Sequence, residues 1–560
     1  MEKAILKVID LSVKFPTKGN DVEALKNISF SVKTGEALGI LGESGSGKSV
    51  SALSIMNLVP SPGRIINGSI LYSGINLVSL SEADMRRLRG SEISMVFQDP
   101  LTAFNPVYTV GKQLLHVIQT HKHKSKKIAY NRALEVLSLV GLPDPVRVFH
   151  SYPHQLSGGM RQRALIGMAL ACEPKILIAD EPTTALDVTI QSQIVQLFHE
   201  LREQLDLTLI YITHNLDLMA ELCDRAIVMY QGKIVEEGDV KTLFNSPQHP
   251  YTRMLIDCVP RLNKPENNVI STSNKNGKPN LLTHNIELEQ LNNKEPIIEF
   301  ENVYRDFFIE KNIISSIFGS KKTLRAVADF NLKICKGDII GIVGESGSGK
   351  STVAMLALHL LSATSGNIYY RRKNISNLKG LELKSFRHNV QMVFQDNQSA
   401  LNPRKTILKT LNEALIIRHG SPQNINQMAE DLLLSMGLDL DILERYPHSL
   451  SGGQRQRVGI ARAMAMEPEI IVADEPVSSL DVSLQTQIIK LFLQLHKKHN
   501  LTLIFISHDL ALVSHLCKRL IVMQDGKIVE AGNAFDIMMH PSHPYTQNLI
   551  NSVPKGITKF

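Results

Sequence analysis

Gly42-Glu43-Ser44-Gly45-Ser46-Gly47-Lys48-Ser49 follows the apolar run Ala37-Leu-Gly-Ile-Leu41 and precedes Val50-Ser-Ala-Leu-Ser-Ile-Met56, so it joins a predicted strand to a predicted helix. That context makes it a phosphate cradle rather than an ordinary Gly-rich turn. The glycines let the backbone bend tightly enough for successive N–H groups to face phosphate oxygens, and the helix N-terminus adds its partial positive charge. Lys48 suits the β- and γ-phosphates, and the Ser49 hydroxyl suits Mg2+. The same eight residues return as Gly344-Glu345-Ser346-Gly347-Ser348-Gly349-Lys350-Ser351, after Asp338-Ile-Ile-Gly-Ile-Val343. Two nucleotide sites are therefore expected.

Working outward, the repeat embraces most of the chain. Phe15 and Phe307 are 292 positions apart, Lys48 and Lys350 302, Gln98 and Gln395 297. From Ser157/Ser451 through Glu181/Glu475 and His214/His508 to Pro250/Pro544 the spacing holds at 294. A constant spacing marks a rigid core, and a drifting one marks surface loops of unequal length. The division that follows is 1–260, a linker at 261–296 whose Asn, Lys, Ser and Gly content shows no period, and 297–560. An extra stretch at 311–319 accounts for the jump from 292 to 302, and it reads as a hairpin on its own domain. In the first half, strands are expected at 5–15, 28–32, 176–179, 208–212 and 226–229, with mostly helix at 106–150. Strands alternating with helices predict an α/β fold with a parallel sheet.

With 560 residues the chain exceeds what a single core supports. Its 43% hydrophobic and 21% charged residues fit a globular protein, and a net charge of +7 is too mild to argue for a nucleic-acid or membrane partner. Five scattered cysteines without a C-x-x-C indicate neither a disulfide framework nor a metal cage. Residues 1–10 alternate like a strand instead of forming a signal peptide's apolar core, and no run approaches a spanning helix. Action at a membrane would have to pass through partners.

Two acidic pairs carry the next layer of chemistry. Ile176-Leu-Ile-Ala-Asp180-Glu181 and Ile470-Ile-Val-Ala-Asp474-Glu475 read as buried strands ending at the cradle. A strand end placed there brings Asp180 and Asp474 to Mg2+, and the following glutamates can polarise an attacking water. Between cradle and acids lie Leu156-Ser157-Gly158-Gly159-Met160 and Leu450-Ser451-Gly452-Gly453-Gln454, each opening a helix with Arg-Gln-Arg. With these residues the chain resembles a tandem pair of ABC-transporter nucleotide-binding domains over nearly all its length except the linker.

That resemblance implies a fold of two tandem P-loop NTPase domains, each with an antiparallel β subdomain and a helical subdomain, forming an intramolecular head-to-tail dimer. One composite site would join Lys48, Ser49, Gln98, Asp180, Glu181 and His214 to Ser451, Gly452, Gly453 and Gln454. The other would join Lys350, Ser351, Gln395, Asp474, Glu475 and His508 to Ser157, Gly158, Gly159 and Met160. It also implies that Phe15 and Phe307 stack on adenine, that Ser49, Gln98 and Asp180, and Ser351, Gln395 and Asp474, hold Mg2+, and that Asp187 and Asp481 contact the opposite site. Catalytic roles fall to Glu181, Glu475, His214, His508, Gln98 and Gln395. Met160 departs from the usual signature glutamine, but both halves keep the glutamate and histidine, so two hydrolytic sites are expected.

The cargo is narrowed by His249-Pro-Tyr-Thr-Arg-Met-Leu-Ile256 and His543-Pro-Tyr-Thr-Gln-Asn-Leu-Ile550, tails similar to those of the oligopeptide and dipeptide importer ATPases. A fused pair in that branch resembles the ATPase of microcin C-type oligopeptide importers, with glutathione import the alternative. The partners so implied are two integral-membrane permeases and, indirectly, an extracytoplasmic peptide-binding protein, with the chain peripheral on the cytoplasmic face of a bacterial inner membrane. The cofactors are ATP and Mg2+. No cysteine lies between Cys258 and Cys335, so the iron–sulfur cluster of some relatives is not expected. A ribosome-acting tandem ABC translation factor, the rival of another class, would carry a long charged helical hairpin between its domains, where this chain has Pro265 and Pro279.

Overall fold

A computed structural model describes residues 4–16, 21–122, 125–184, 186–259, 295–309, 322–394, 400–478 and 480–554. These form two compact units, the first on residues up to Val259 and the second ending at Val553. The expected linker up to residue 294, the stretch 311–319 and Gln395 lie outside the described residues.

In the first unit the strands are β1 (Ala4–Phe15), β2 (Val22–Lys33), β3 (Ala37–Leu41), β4 (Arg64–Tyr72), β5 (Ile75–Asn76), β6 (Ile93–Val96), β7 (Ile176–Asp180), β8 (Thr208–Thr213), β9 (Arg225–Tyr230) and β10 (Lys233–Asp239). They make an antiparallel sheet, β2-β1-β4-β5, and a six-stranded sheet, β10-β9-β3-β8-β7-β6, parallel except for the β9/β10 hairpin. Every residue of β3, β7 and β8 is buried. A parallel sheet covered on both faces has no solvent side, so its strands read as unbroken apolar runs. One face is met by the antiparallel sheet and the Lys48–Ile55 helix: Leu6, Val8, Leu11 and Ile28 share a core with Ala52, Ile55, Ile178, Ile210 and Ile212.

The strand expected at 5–15 is β1, whereas the one expected at 28–32 starts earlier, at Val22, as part of β2, and β4, β5 and β6 are strands beyond those expected. The stretch 106–150 is helical at Val110–Lys122, Lys126–Leu139 and Pro145–His150. Asp144 caps the last of these by accepting from the Arg147 N–H at 3.0 Å.

The second unit repeats the plan with β11 (Pro296–Ile309), β12 (Lys322–Cys335), β13 (Ile339–Val343), β14 (Ser365–Tyr370), β15 (Lys373–Asn374), β16 (Val390–Val393), β17 (Ile470–Asp474), β18 (Thr502–Ile506), β19 (Arg519–Gln524) and β20 (Lys527–Asn533). Its sheets run β12-β11-β14-β15 and β16-β17-β18-β13-β19-β20. Alternation along β18 divides its cores. Ile504 and Ile506 join the antiparallel-sheet side, whereas Leu503 and Phe505 face a second core with Leu411, Val458 and Leu512. The change in repeat spacing after the phosphate loop is partly a strand effect, since β4 has nine residues and β14 six.

Register positions the chemistry. Leu41 lies beside Thr213, and Ile212 beside Asp180. Gly42, Glu181 and His214, each the first residue beyond its strand, therefore gather at the carboxyl edge of the sheet, where open α/β sheets bind ligands.

Candidate nucleotide sites

The loop after β3 closes on itself around its lysine. Lys48 is buried, and its Nζ donates to Gly42 O at 2.7 Å and Glu43 O at 3.0 Å. In the second unit Lys350 Nζ donates to Gly344 O at 2.7 Å and Glu345 O at 2.8 Å. Gly47, with φ of 105°, needs the absence of a side chain twice over, because a Cβ there would stand 2.7 Å from Leu25 Cδ2 and 2.8 Å from Ala24 O. The helix that follows starts at the lysine, so its unsatisfied N–H groups open towards the loop.

Around Glu181 the first unit assembles four side chains. Gln98 Nε2 donates to Glu181 Oε2 at 2.9 Å, Thr184 Oγ1 donates to the same oxygen at 3.0 Å, and His214 Nδ1 stands 3.3 Å from it. Lys48 Nζ lies 3.9 Å from Glu181 Oε1. Burial opposes ionisation of Glu181, but the His214 ring, Lys48 and Thr184 outweigh it and bring the carboxyl down to about 2. Its backbone sits at φ 45°, an uncommon conformation for a non-glycine residue, tied by its N–H to Ile212 O at 2.9 Å. Glu475 repeats that φ of 45°, the N–H bond to Ile506 O at 2.9 Å, and the histidine, with His508 Nδ1 at 3.3 Å from Glu475 Oε1. Burial again opposes its ionisation, and His508, Lys350 and Ser478 again hold it below the usual glutamate value.

Asp180 behaves in the opposite way. Burial raises it to about 6, with Glu181 adding to the rise, although the Ser49 hydroxyl donates to Asp180 Oδ1 at 3.1 Å. Asp474 is raised by burial too, and its buried Oδ1 has no hydrogen-bond partner among the described residues. Buried carboxylates short of positive charge, each beside a loop serine, fit a divalent cation with oxygen ligands.

The signature residues begin helices, as expected. Ser157 Oγ accepts from Met160 N at 3.3 Å at the start of Gly158–Leu170, and Ser451 Oγ accepts from Gln454 N at 3.3 Å at the start of Gly452–Met464. Gly159 and Gly453 let these helices approach Ile190 and Leu484, where an added Cβ would stand 2.9 Å and 3.2 Å away. Asp187 caps the Val188–Leu205 helix, accepting from Ile190 N at 3.0 Å, and Asp481 is buried before Val482–His499. Phe15 is half-buried against the antiparallel-sheet core with its ring over Gly63. Phe307 carries the Arg305 guanidinium 4.7 Å from its ring centre.

One contact was not foreseen. Tyr251 of the first tail reaches the loop, accepting the Glu43 N–H through its hydroxyl at 3.1 Å, and Tyr545 does the same for Glu345 N–H at 2.9 Å. The repeated His-Pro-Tyr-Thr was visible in the sequence, but nothing local told where its tyrosine points. Cys223 and Cys517 are buried, and burial pushes both thiols up, away from redox chemistry.

The ABC transporter family model matches residues 25–184 and 327–478, which contain both phosphate loops and both acidic strand ends just described. The chain belongs to the ABC transporter family. Being a tandem ABC chain, it is an ATPase, and the expected fold of two P-loop domains is the one observed. The oligopeptide/dipeptide transporter C-terminal region model matches residues 235–285 and 529–557, so the ABC chain is of the oligopeptide/dipeptide importer type. It is 40% identical over 563 residues to the glutathione import ATP-binding protein GsiA of Pectobacterium atrosepticum, covering 99% of this chain and 90% of that protein. Identity to the protein of the same name from Salmonella typhimurium is 40% over 565 residues, with 98% and 89% covered. Among solved structures, the dimeric bacterial ABC transporter cassette MJ0796 is 30% identical, covering 42% of this chain and 98% of that one, with a TM-score of 0.39. Among the described residues no helix is long and apolar enough to cross a membrane.

Proposed function

We propose that this chain is the ATP-hydrolysing motor of a peptide importer, working at two composite sites through two membrane permeases on the cytoplasmic face of a bacterial inner membrane. The observation that carries it is the joint presence, in each unit, of a complete phosphate loop and acidic strand end and of a peptide-importer tail touching that loop. Each loop cradles the triphosphate with its N–H groups and lysine, while Phe15 or Phe307 stacks on adenine. Ser49, Gln98 and Asp180, and Ser351, Gln395 and Asp474, would hold Mg2+, which when bound neutralises charge on the β- and γ-phosphate oxygens.

Glu181 and Glu475 remain ionised at neutral pH because their pKa values are held low. Such a carboxylate is a weak base and a good acceptor, so it orients and polarises the water that adds to the γ-phosphorus as the bond to the bridging oxygen breaks. ADP and inorganic phosphate result. His214 and His508 keep the glutamates in place and reach the γ-phosphate. Signature serines and glycines of one unit complete the site of the other, with Asp187 and Asp481 beside them, so ATP favours the closed pair and hydrolysis releases it.

Cargo is selected by the permeases and the extracytoplasmic binding protein. Short peptides are the class proposed. The microcin C-type resemblance and relatives named for glutathione import both fall within it. Affinity isolation of the Glu181→Gln, Glu475→Gln double variant with ATP from gently solubilised cells tests the reading. Two polytopic permeases are expected, whereas ribosomal proteins without permeases would overturn transport and leave ATP hydrolysis intact.

A further inference from the structure

Each tail is anchored where its helix begins. At its start, Glu236 accepts the N–H groups of Gln248 at 2.8 Å and His249 at 3.0 Å, and Glu530 accepts those of Ser542 at 2.8 Å and His543 at 3.2 Å. His249 Nδ1 then caps Pro250–Asp257 by accepting from Tyr251 N at 3.1 Å, as His543 Nδ1 does for Pro544–Asn551 from Tyr545 N at 3.2 Å. Two residues beyond each histidine, the tyrosine hydroxyl meets the phosphate loop. The surroundings of the two rings differ: Tyr251 lies against Tyr230, with ring centres 4.2 Å apart, whereas the matching position in the second unit is Gln524. What both units retain is the bond from the loop's second residue to the tyrosine oxygen.

We propose that Tyr251 and Tyr545 are positioning residues of the nucleotide sites. By holding the outer limb of the loop against the tail helix, each keeps the loop in the shape that receives the triphosphate, so that ordering it is not charged against ATP binding. The importer tail is thereby a structural part of the ATP site. The inference rests on ATP binding at the two loops and is independent of the cargo.

The test uses the full chain with Tyr251→Phe, Tyr545→Phe and both together. Phenylalanine keeps the ring and removes only the hydroxyl. ATPase rates are titrated against ATP, and thermal unfolding is followed without nucleotide. The double variant should raise KM for ATP about three- to ten-fold, the range set by one net hydrogen bond, with kcat and the unfolding temperature retained. An unchanged KM in the tyrosine variants, or a rise that appears only with a matching fall in unfolding temperature, would overturn the proposal. Loss of ATP hydrolysis in the unsubstituted chain would instead count against the ATPase assignment itself.

Discussion

Gln454 and Ser451 cap each other: Gln454 N donates to Ser451 Oγ at 3.3 Å, and Ser451 N donates back to Gln454 Oε1 at 3.0 Å. In the first unit Ser157 accepts from Met160 N, but a thioether offers the Ser157 N–H no comparable acceptor. The Met160 departure is thus a lost capping box at one signature helix, with the serine cap intact. Replacing Met160 by Gln should stabilise the first unit by about 0.5–1 kcal/mol, and Gln454→Met should cost the second a similar amount. Urea denaturation of each variant reads this, and a change below error in both would remove the capping box as the difference between the units.

Lys48 and Lys350 span their loops through two carbonyls each. Methionine keeps the length and removes the charge-assisted bonds, so Lys48→Met with Lys350→Met should weaken ATP binding by about ten-fold or more. Calorimetric titration of the nucleotide checks it.

Gly47→Ala and Gly349→Ala test the loop backbone. Both positions have left-handed φ, 105° and 101°, and a Cβ at Gly349 would come within 2.3 Å of Ala326 O. Each should destabilise its unit by more than about 1 kcal/mol, the usual size of an incompatible glycine replacement. Chemical denaturation gives the number, and a neutral result would show that the loop relaxes freely.

The phosphate loops were legible because their chemistry is local: eight consecutive residues set the turn, the donors and the lysine. The acidic strand ends were legible for a different reason, since β7 and β17 are buried throughout and leave an unbroken apolar run ending in Asp-Glu. β4 and β6 gave no comparable signal. β4 alternates irregularly between exposed and buried, and β6 is four residues long. The tyrosine contact was out of reach for a third reason, because Glu43 and Tyr251 are 208 residues apart and meet only once the sheet has formed. Repetition showed that the tail was there twice, not what it touched.

Acid should release the tails. Burial would raise Glu236 and Glu530, yet the N–H groups whose bonds they accept, together with the Thr252 and Thr546 side chains, hold both below the ordinary value of 4.5. With the folded pKa lower than the unfolded one, their stabilisation is complete above 4.5 and drains away as pH falls through the folded value. The Glu236→Gln, Glu530→Gln variant should therefore be less stable than the parent at neutral pH, with the gap closing below pH 4.5. A gap independent of pH, in unfolding temperature measured across that range, would contradict this.

Hydrolysis of ATP by both units rests on Glu181 and Glu475. Steady-state ATPase of Glu181→Gln, Glu475→Gln and the double variant reads it, since glutamine keeps the size of the side chain and one acceptor oxygen but loses the carboxylate. Each single replacement should lower the rate severely, and the double by about 100-fold or more, the scale of losing the group that orients and polarises the attacking water. A single variant that turns over ATP at the parent rate would contradict the claim for that unit.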